Sequence, residues 1–426
     1  MAKQKLTNEQ KLYARKIKTP NGIYRVLGWV WKTFMYKKYG VTYEFKTDFR
    51  KQKGAYILVS NHASRLDYIF TGVPMLPAKM NYVAGYNEFY RSHLAGVFKL
   101  LRVIPKKNFT PDYYAVKEIS RVLKNGGRVC IFPEGMSSIS GANQPVAIGT
   151  GKFLKHYKVP VYSSLIKGGY LTSPKYNLKD RLGKVEVTFD LLFTPEELEK
   201  LTPEEIEDKL NTALYHDDYA WNKVQQNRYD IGENGAEHLE DLLFWCPKCG
   251  KQQAMKGEGN KFSCTACGNG GTLTETYDLV PFDDRCVIPE TLTKWFHLQR
   301  QVVREEVQDP AFELVERVKL GMLPDEGMLK NQATSELVGE GTIRLTREGL
   351  SYEGTKNGEP FAFQIASKNL PTYGMCTDLS RFYTFYEGKF VEFYPEHSVV
   401  EKFFLATEEI HRLNGGKWQD FKFPVL

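Results

Sequence analysis

No run of 18 or more apolar residues occurs in the 426-residue chain, so no segment need cross a bilayer as a helix. The first 20 residues are polar, and no cleavable secretory leader is expected. Cysteine is scarce. Four of the seven fall in two CxxC pairs, which suits an intracellular metal site rather than a disulfide framework. The absence of a GxSxG elbow counts against a serine hydrolase. Gly149-Thr150-Gly151-Lys152 lacks the upstream glycine and the following Ser or Thr of a phosphate loop, and reads as a helix start. No low-complexity tract is present, and 42% hydrophobic with 26% charged residues is the composition of a globular protein.

What charge there is lies unevenly. Residues 1–53 carry 14 basic and three acidic side chains, although the net charge of the whole chain is only +7. Such a basic arm suits an anionic membrane surface or a nucleic acid, or is simply a solvated face. Within it, Tyr24, Leu27, Trp31, Phe34 and Met35 fall on one face of a helix over 22–40, widened by Val26 and Val30, with Arg25 and Lys32 on the far side. That helix either lies in a lipid interface or packs on the domain core.

From 54 to 193 short apolar runs alternate with helical patterns. Strands are expected at 55–60, 81–84, 128–132, 159–166 and 184–190, and helices at 65–76, 90–101, 111–124 and 147–157. This is the pattern of an α/β domain with a largely parallel sheet, whose ligands sit beyond the carboxyl ends of the strands. An acidic helical extension follows over 194–245, opened by Thr194-Pro195-Glu196-Glu197 and Thr202-Pro203-Glu204-Glu205. Cys246, Cys249, Cys264 and Cys267, each pair followed by a glycine, match the four-thiolate cage of a zinc ribbon over 246–275. Four thiolates leave no open coordination position, so the Zn²⁺ is expected to be structural. A helical connector is expected over 276–330, its helix spanning roughly 289–319. Short alternating runs then make 331–426 β-rich, closed by a helix at 407–415 and similar to a small PH/GRAM-type barrel by analogy.

Two stretches carry the chemistry. In Asn61-His62-Ala63-Ser64-Arg65-Leu66-Asp67, a carboxylate five positions from an imidazole can fix its tautomer and leave the second ring nitrogen as a base. The nucleophile would then be a hydroxyl of the substrate. In Phe132-Pro133-Glu134-Gly135, a second strand ends in a turn that supplies an acceptor and backbone N–H groups at the same sheet edge if the strands are parallel. Between them, the apolar segment 96–105 carries Arg102 and ends at Lys106 and Lys107, cations suited to phosphate.

These four stretches in order, NHxxxxD, the apolar segment ending in a cation, FPEG and Val159-Pro160-Val161, resemble the motifs of the lysophospholipid acyltransferase family, over roughly residues 20–195. The resemblance implies transfer of a fatty acyl group from acyl-CoA or acyl carrier protein to a lysophospholipid hydroxyl, with 1-acyl-sn-glycerol-3-phosphate as the expected acceptor and phosphatidic acid as product. It also implies a peripheral or monotopic position on the cytoplasmic face of a membrane. By position, His62 is the implied general base and Asp67 its support. Asn61, Arg102, Lys106, Lys107, Glu134, Gly135 and Ser137 are the implied substrate-binding residues. The family's third motif usually continues Thr-Arg-Ser, whereas this chain has Met136-Ser137-Ser138, so another lysolipid headgroup is a second reading. A third makes the ribbon and basic arm a binding adaptor with an inactive acyltransferase fold. No nucleic-acid partner is expected under the first two.

Overall fold

The computed structural model describes residues 5–416; residues 1–4 of the basic arm and 417–426 of the expected C-terminal domain lie outside the described residues. The first unit is built on a seven-stranded sheet. Its strands are β1 (Val41–Phe45), β2 (Tyr56–Ser60), β3 (Asn81–Gly85), β4 (Ile104–Lys106), β5 (Arg128–Ile131), β6 (Val161–Lys167) and β7 (Val185–Phe193), in the order β1-β7-β6-β2-β5-β3-β4. β2 pairs in parallel with both β5 and β6, and β3 with both β5 and β4. Only β7, antiparallel to β6, and its parallel neighbour β1 run the other way.

All five residues of β2 are buried because helices and loops cover both faces of a central strand. The two faces alternate as period two requires. Ile57 and Val59 join Val129, Val161 and the helix residues Ile119, Leu154 and Leu210, whereas Tyr56 and Leu58 join Phe49, Phe70, Cys130 and Tyr162. The five expected strands are present, with ends shifted by up to three residues. β1 and β4 were not foreseen. β4 contains Pro105, which argues against a strand unless it lies at a sheet edge, and β4 is the edge strand. The expected helix 65–76 shortens to Asp67–Gly72: Val73 still has helical backbone angles, but Pro74 has no N–H with which to extend the ladder.

The N-terminal helix packs one face on the domain and leaves the other exposed. The helix Ile23–Trp31 passes into a π-turn over Lys32–Tyr36. Tyr24, Leu27, Gly28, Trp31 and Met35 face the protein, while Ile23, Val26, Trp29, Val30 and Phe34 are exposed. Phe34 thus leaves the inward face on which a simple wheel puts it.

Capping boxes at Thr194/Glu197 and Thr202/Glu205 start the expected helices Pro195–Lys200 and Pro203–Leu214, and Asp218–Gln225 follows. The rest of 226–245 holds only a 3₁₀ turn. A four-stranded antiparallel sheet, β8 (Met255–Glu258), β9 (Lys261–Cys264), β10 (Gly270–Leu273) and β11 (Leu279–Pro281), carries the cysteines and runs past residue 275.

The expected helix over 289–319 is corrected. It spans Leu292–Glu306, and Glu313–Met322 is strand β12, so the segment 276–330 is not a helical connector throughout. Pro310 cannot continue a helix, and Val318 and Leu320 point inward with the period of a strand. β12 opens a seven-stranded antiparallel sheet with β13 (Glu336–Thr346), β14 (Gly349–Lys356), β15 (Glu359–Ala366), β16 (Gly374–Met375), β17 (Phe382–Tyr386) and β18 (Lys389–Pro395), in the order β15-β14-β13-β12-β18-β17-β16. No ladder joins β15 to β16 among the described residues, so the sheet is open rather than a closed barrel. The closing helix starts earlier than expected, at Val400, because its first turns bury Val400, Phe403 and Phe404 against the sheet.

These units share an interior. One continuous apolar cluster runs from Met136 and Ile139, beyond the β5 turn, through Tyr170 and Leu171, to Trp295, Phe262 and Phe404. The guanidinium of Arg181, fully buried, donates to the hydroxyls of Tyr176 and Tyr277 and to the carbonyl of Gly235, tying the catalytic sheet to the ribbon.

Candidate active site

The sheet brings the two motifs together. β2 ends at Ser60 and its parallel neighbour β5 at Ile131, so His62 and Glu134 emerge side by side from one edge. Residues 61–66 form a loop rather than a helix, and this is what lets positions five apart meet. Nδ1 of His62 lies 2.8 Å from Oδ2 of Asp67. Asp67 is 1% exposed and accepts from the backbone N–H of Ser64 at 3.0 Å to each oxygen and from its hydroxyl at 3.1 Å. Burial pushes its pKa up, opposed by the bonds from His62 and Ser64. With Nδ1–H donated to Asp67, Nε2 is the free basic nitrogen of a ring that is a quarter exposed and stacked on Phe132 at 4.5 Å. Such an arrangement can serve as a base with its orienting carboxylate.

Glu134 lines the same edge and also holds backbone groups. Its carboxylate accepts the backbone N–H of His62 at 2.6 Å and that of Gln144 at 2.7 Å, and it is 3% exposed. Burial drives its pKa well up, against those two bonds. It pins the catalytic loop. The carbonyl of His62 accepts in turn from the Ser138 N–H at 2.6 Å, so histidine 62 is held from both sides of its own backbone. Gly135 has φ +84°, and a Cβ there would meet the Phe109 ring at 3.1 Å.

A cavity of about 1430 Å³ opens at this edge. His62, Asp67, Glu134, Gly135, Ser137 and Lys106 line it, together with apolar side chains that include Tyr24, Trp31, Met35, Leu66, Val97 and Phe98. Lys106 closes β4 and donates only to the carbonyl of Lys107, with burial lowering its pKa. Three expected substrate contacts are corrected. Asn61 is buried and exchanges two hydrogen bonds with the backbone of Ile166, at 2.9 and 2.7 Å, locking β2 to β6. Lys107 bonds to Glu9 and to the Gly388 carbonyl beneath aromatic rings of both terminal regions. Arg102, with φ +59°, lies outside the cavity lining, where its carbonyl accepts from Asn81. For Asn61 and Lys107, packing has spent the side chain's polar atoms elsewhere, whereas the buried Nε of Arg102 has no hydrogen-bond partner among the described residues. Ser64, Lys175, and the C-terminal residues Met375, Cys376 and Thr377 complete the lining without any signal in the motifs.

The four cysteines also converge. Their Sγ atoms lie within 4.8 Å of one another, with Cys246–Cys267 and Cys249–Cys264 both at 3.8 Å. A tetrahedral ion with bonds of about 2.3 Å to sulfur needs edges of about 3.8 Å, so the donor set fits a metal ion. Gly250 and Gly268, at φ +72° and +73°, carry the turns behind the second thiolate of each pair.

Residues 40–167, which hold the first six strands of the sheet and the His62–Asp67 pair, match the family model described as Acyltransferase. Among solved structures, the chain is similar to PlsC, a 1-acyl-sn-glycerophosphate (LPA) acyltransferase from Thermotoga maritima, with a TM-score of 0.39 and 19% identity over 47% of this chain and 81% of that one. No curated protein matches the chain.

Replacing Asn61 by Ala should act on folding, because it orphans a buried backbone N–H and C=O. We expect a loss of about 2–4 kcal/mol in chemical denaturation, with no specific rise in KM for either substrate. A selective KM effect would restore Asn61 to the substrate site. For the thiolate cluster, elemental analysis should find one metal ion per chain. Its removal by chelator should lower Tm, while the activity per folded molecule survives.

Proposed function

We propose that this chain is an O-acyltransferase that moves a fatty acyl group from acyl-CoA or acyl carrier protein to the hydroxyl of a lysophospholipid, with 1-acyl-sn-glycerol-3-phosphate as acceptor and phosphatidic acid as product. The observation that carries this reading is the His62–Asp67 pair at the mouth of a large, mostly apolar cavity within an acyltransferase-family domain. Nε2 of His62 takes the proton of the acceptor hydroxyl, and the oxygen attacks the thioester carbonyl. The tetrahedral intermediate expels the thiolate, which recovers the proton from the imidazolium. Asp67 stabilises that imidazolium and holds its tautomer. No acyl-enzyme forms. Lys106, at the tip of β4, supports an acceptor that carries phosphate.

Zn²⁺ is the metal best suited to four thiolates, and Cys246, Cys249, Cys264 and Cys267 would hold it as a structural ion. The protein works, on this reading, as a peripheral or monotopic enzyme on the cytoplasmic face of a membrane. Trp29 and Phe34 are 65% and 68% exposed beside Val26 and Val30, and Val97, Leu100, Tyr113 and Val116 extend exposed apolar surface along helices that line the cavity. Arg25 and Lys32 flank the first helix, where they can meet anionic headgroups. No helix among the described residues is long and apolar enough to cross a membrane.

Release of free CoA from palmitoyl-CoA in the presence of lysophosphatidate tests the chemistry. His62→Ala should lower turnover by at least about a hundredfold, and unchanged turnover would remove the mechanism. Cosedimentation with anionic lipid vesicles tests the surface. Combined Trp29→Ser and Phe34→Ser should weaken binding by at least about tenfold, since each aromatic contributes roughly 1.5–3 kcal/mol on burial; equal binding would refute the assigned face.

A further inference from the structure

Beyond β6 the chain turns at Gly168 and Gly169 and reaches Lys175, which is 4% exposed and lines the catalytic cavity. Its ammonium donates to the carbonyl of Ser137 at 2.9 Å, one residue from the Ser138 N–H that holds His62. No carboxylate lies within ion-pair distance of it among the described residues, so of its three N–H donors one has a protein partner. A buried ammonium so sparsely satisfied is costly and is retained where it does something.

Of the other cations that line the cavity, Lys368 is exposed and the two arginines are engaged. Arg65 pairs with Asp180 at 2.8 Å and Arg91 with Glu88 at 2.9 Å. Lys106 and Lys175 remain. Lys106 ends β4 and Lys175 follows β6; in the sheet order β6-β2-β5-β3-β4, β6 adjoins the strand that leads to His62, and β3 separates β4 from the strand that leads to Glu134. Lys175 also stands at a seam. Met375, Cys376 and Thr377, from the C-terminal sheet, line the same cavity, and the nearby carboxylate of Glu401, on the closing helix, is buried without a hydrogen-bond partner.

We propose that Lys175 binds the phosphate monoester of the acceptor, in a headgroup subsite built jointly by the acyltransferase domain and the C-terminal domain. This rests on the acyltransferase reading above and adds to it the residue that selects the headgroup. The two spare N–H donors of the buried Lys175 ammonium suit the oxygens of a phosphate monoester. A phosphate-free glycerolipid gives them nothing to bind. Burial lowers Lys175 to about 8, opposed by the fields of Glu401, Cys376 and Glu134, and a bound dianion would hold it protonated.

The test compares wild type with Lys175→Met and Lys175→Arg on two acceptors, lysophosphatidate and 1-acylglycerol, varied at fixed acyl-CoA, and then varies acyl-CoA at fixed lysophosphatidate. The ratio of kcat/KM values, phosphate-bearing over phosphate-free, should fall at least tenfold in Lys175→Met through KM for lysophosphatidate. Lys175→Arg should recover most of it. A smaller fall, or a change in KM for acyl-CoA in place of the acceptor, overturns the assignment, the latter by placing the donor's phosphates there. A general folding defect lowers both acceptors alike and leaves the ratio unmoved, and Lys175→Gln serves if the methionine variant does not fold. Calorimetric binding of sn-glycerol 3-phosphate to the full chain, expected for wild type and lost in Lys175→Met, decides the matter even if no lysolipid is acylated; that last result would fail the proposed activity alone. Equal binding by both proteins overturns the subsite.

Discussion

A carboxylate buried to 1% exposure must find hydrogen-bond donors or lose its charge, and Asp67 finds them all within its own loop. Ser64 supplies its backbone N–H and its hydroxyl, and His62 supplies Nδ1–H. The loop therefore closes around the carboxylate, and the imidazole is oriented as a consequence of satisfying it. Apolar burial on both faces of β2 delivers this loop to the sheet edge, and the parallel register with β5 brings Glu134 to the backbone of His62. Catalytic geometry and folding thus draw on the same few hydrogen bonds. Little movement of residue 62 is possible without breaking one of them.

The C-terminal half is not a separate appendage to this arrangement. The loop after the β5 turn contributes Met136 and Ile139 to the same apolar interior as the ribbon and the C-terminal sheet, and Arg181 satisfies hydroxyls on both sides of the junction. The four-thiolate cluster lies in the segment between, where a bound ion would brace chain that has short strands and few apolar residues of its own. A cavity that begins at His62 consequently ends against strands more than 300 residues further along the chain.

Local pattern made the motif residues legible. The apolar run of β2, the loop that follows it, the pairing of an imidazole with a carboxylate, the capping boxes at Thr194 and Thr202, and the two CxxC turns are each encoded within ten residues, so reading them needs no knowledge of distant neighbours. β4 was illegible because Pro105 is tolerated only at an edge, and which strand is the edge is a property of the sheet. β12 falls inside the segment expected to be helical, although Pro310 ends the helix and the alternation of Val318 and Leu320 marks the strand.

What the sequence determined by itself is therefore the pairing of His62 with Asp67, the thiolate set and five of the seven strands of the first sheet. Only the tertiary structure decided which polar groups remain free to meet a substrate. Asn61, Lys107 and Glu134 carry the right chemistry in the right motifs, yet their atoms are committed to Ile166, to Glu9 and Gly388, and to the backbone of His62. Lys175 belongs to no motif, yet it reaches the cavity with donors to spare. The reason is that a side chain's hydrogen-bonding capacity is local, whereas the partners that use it up come from anywhere the chain folds back.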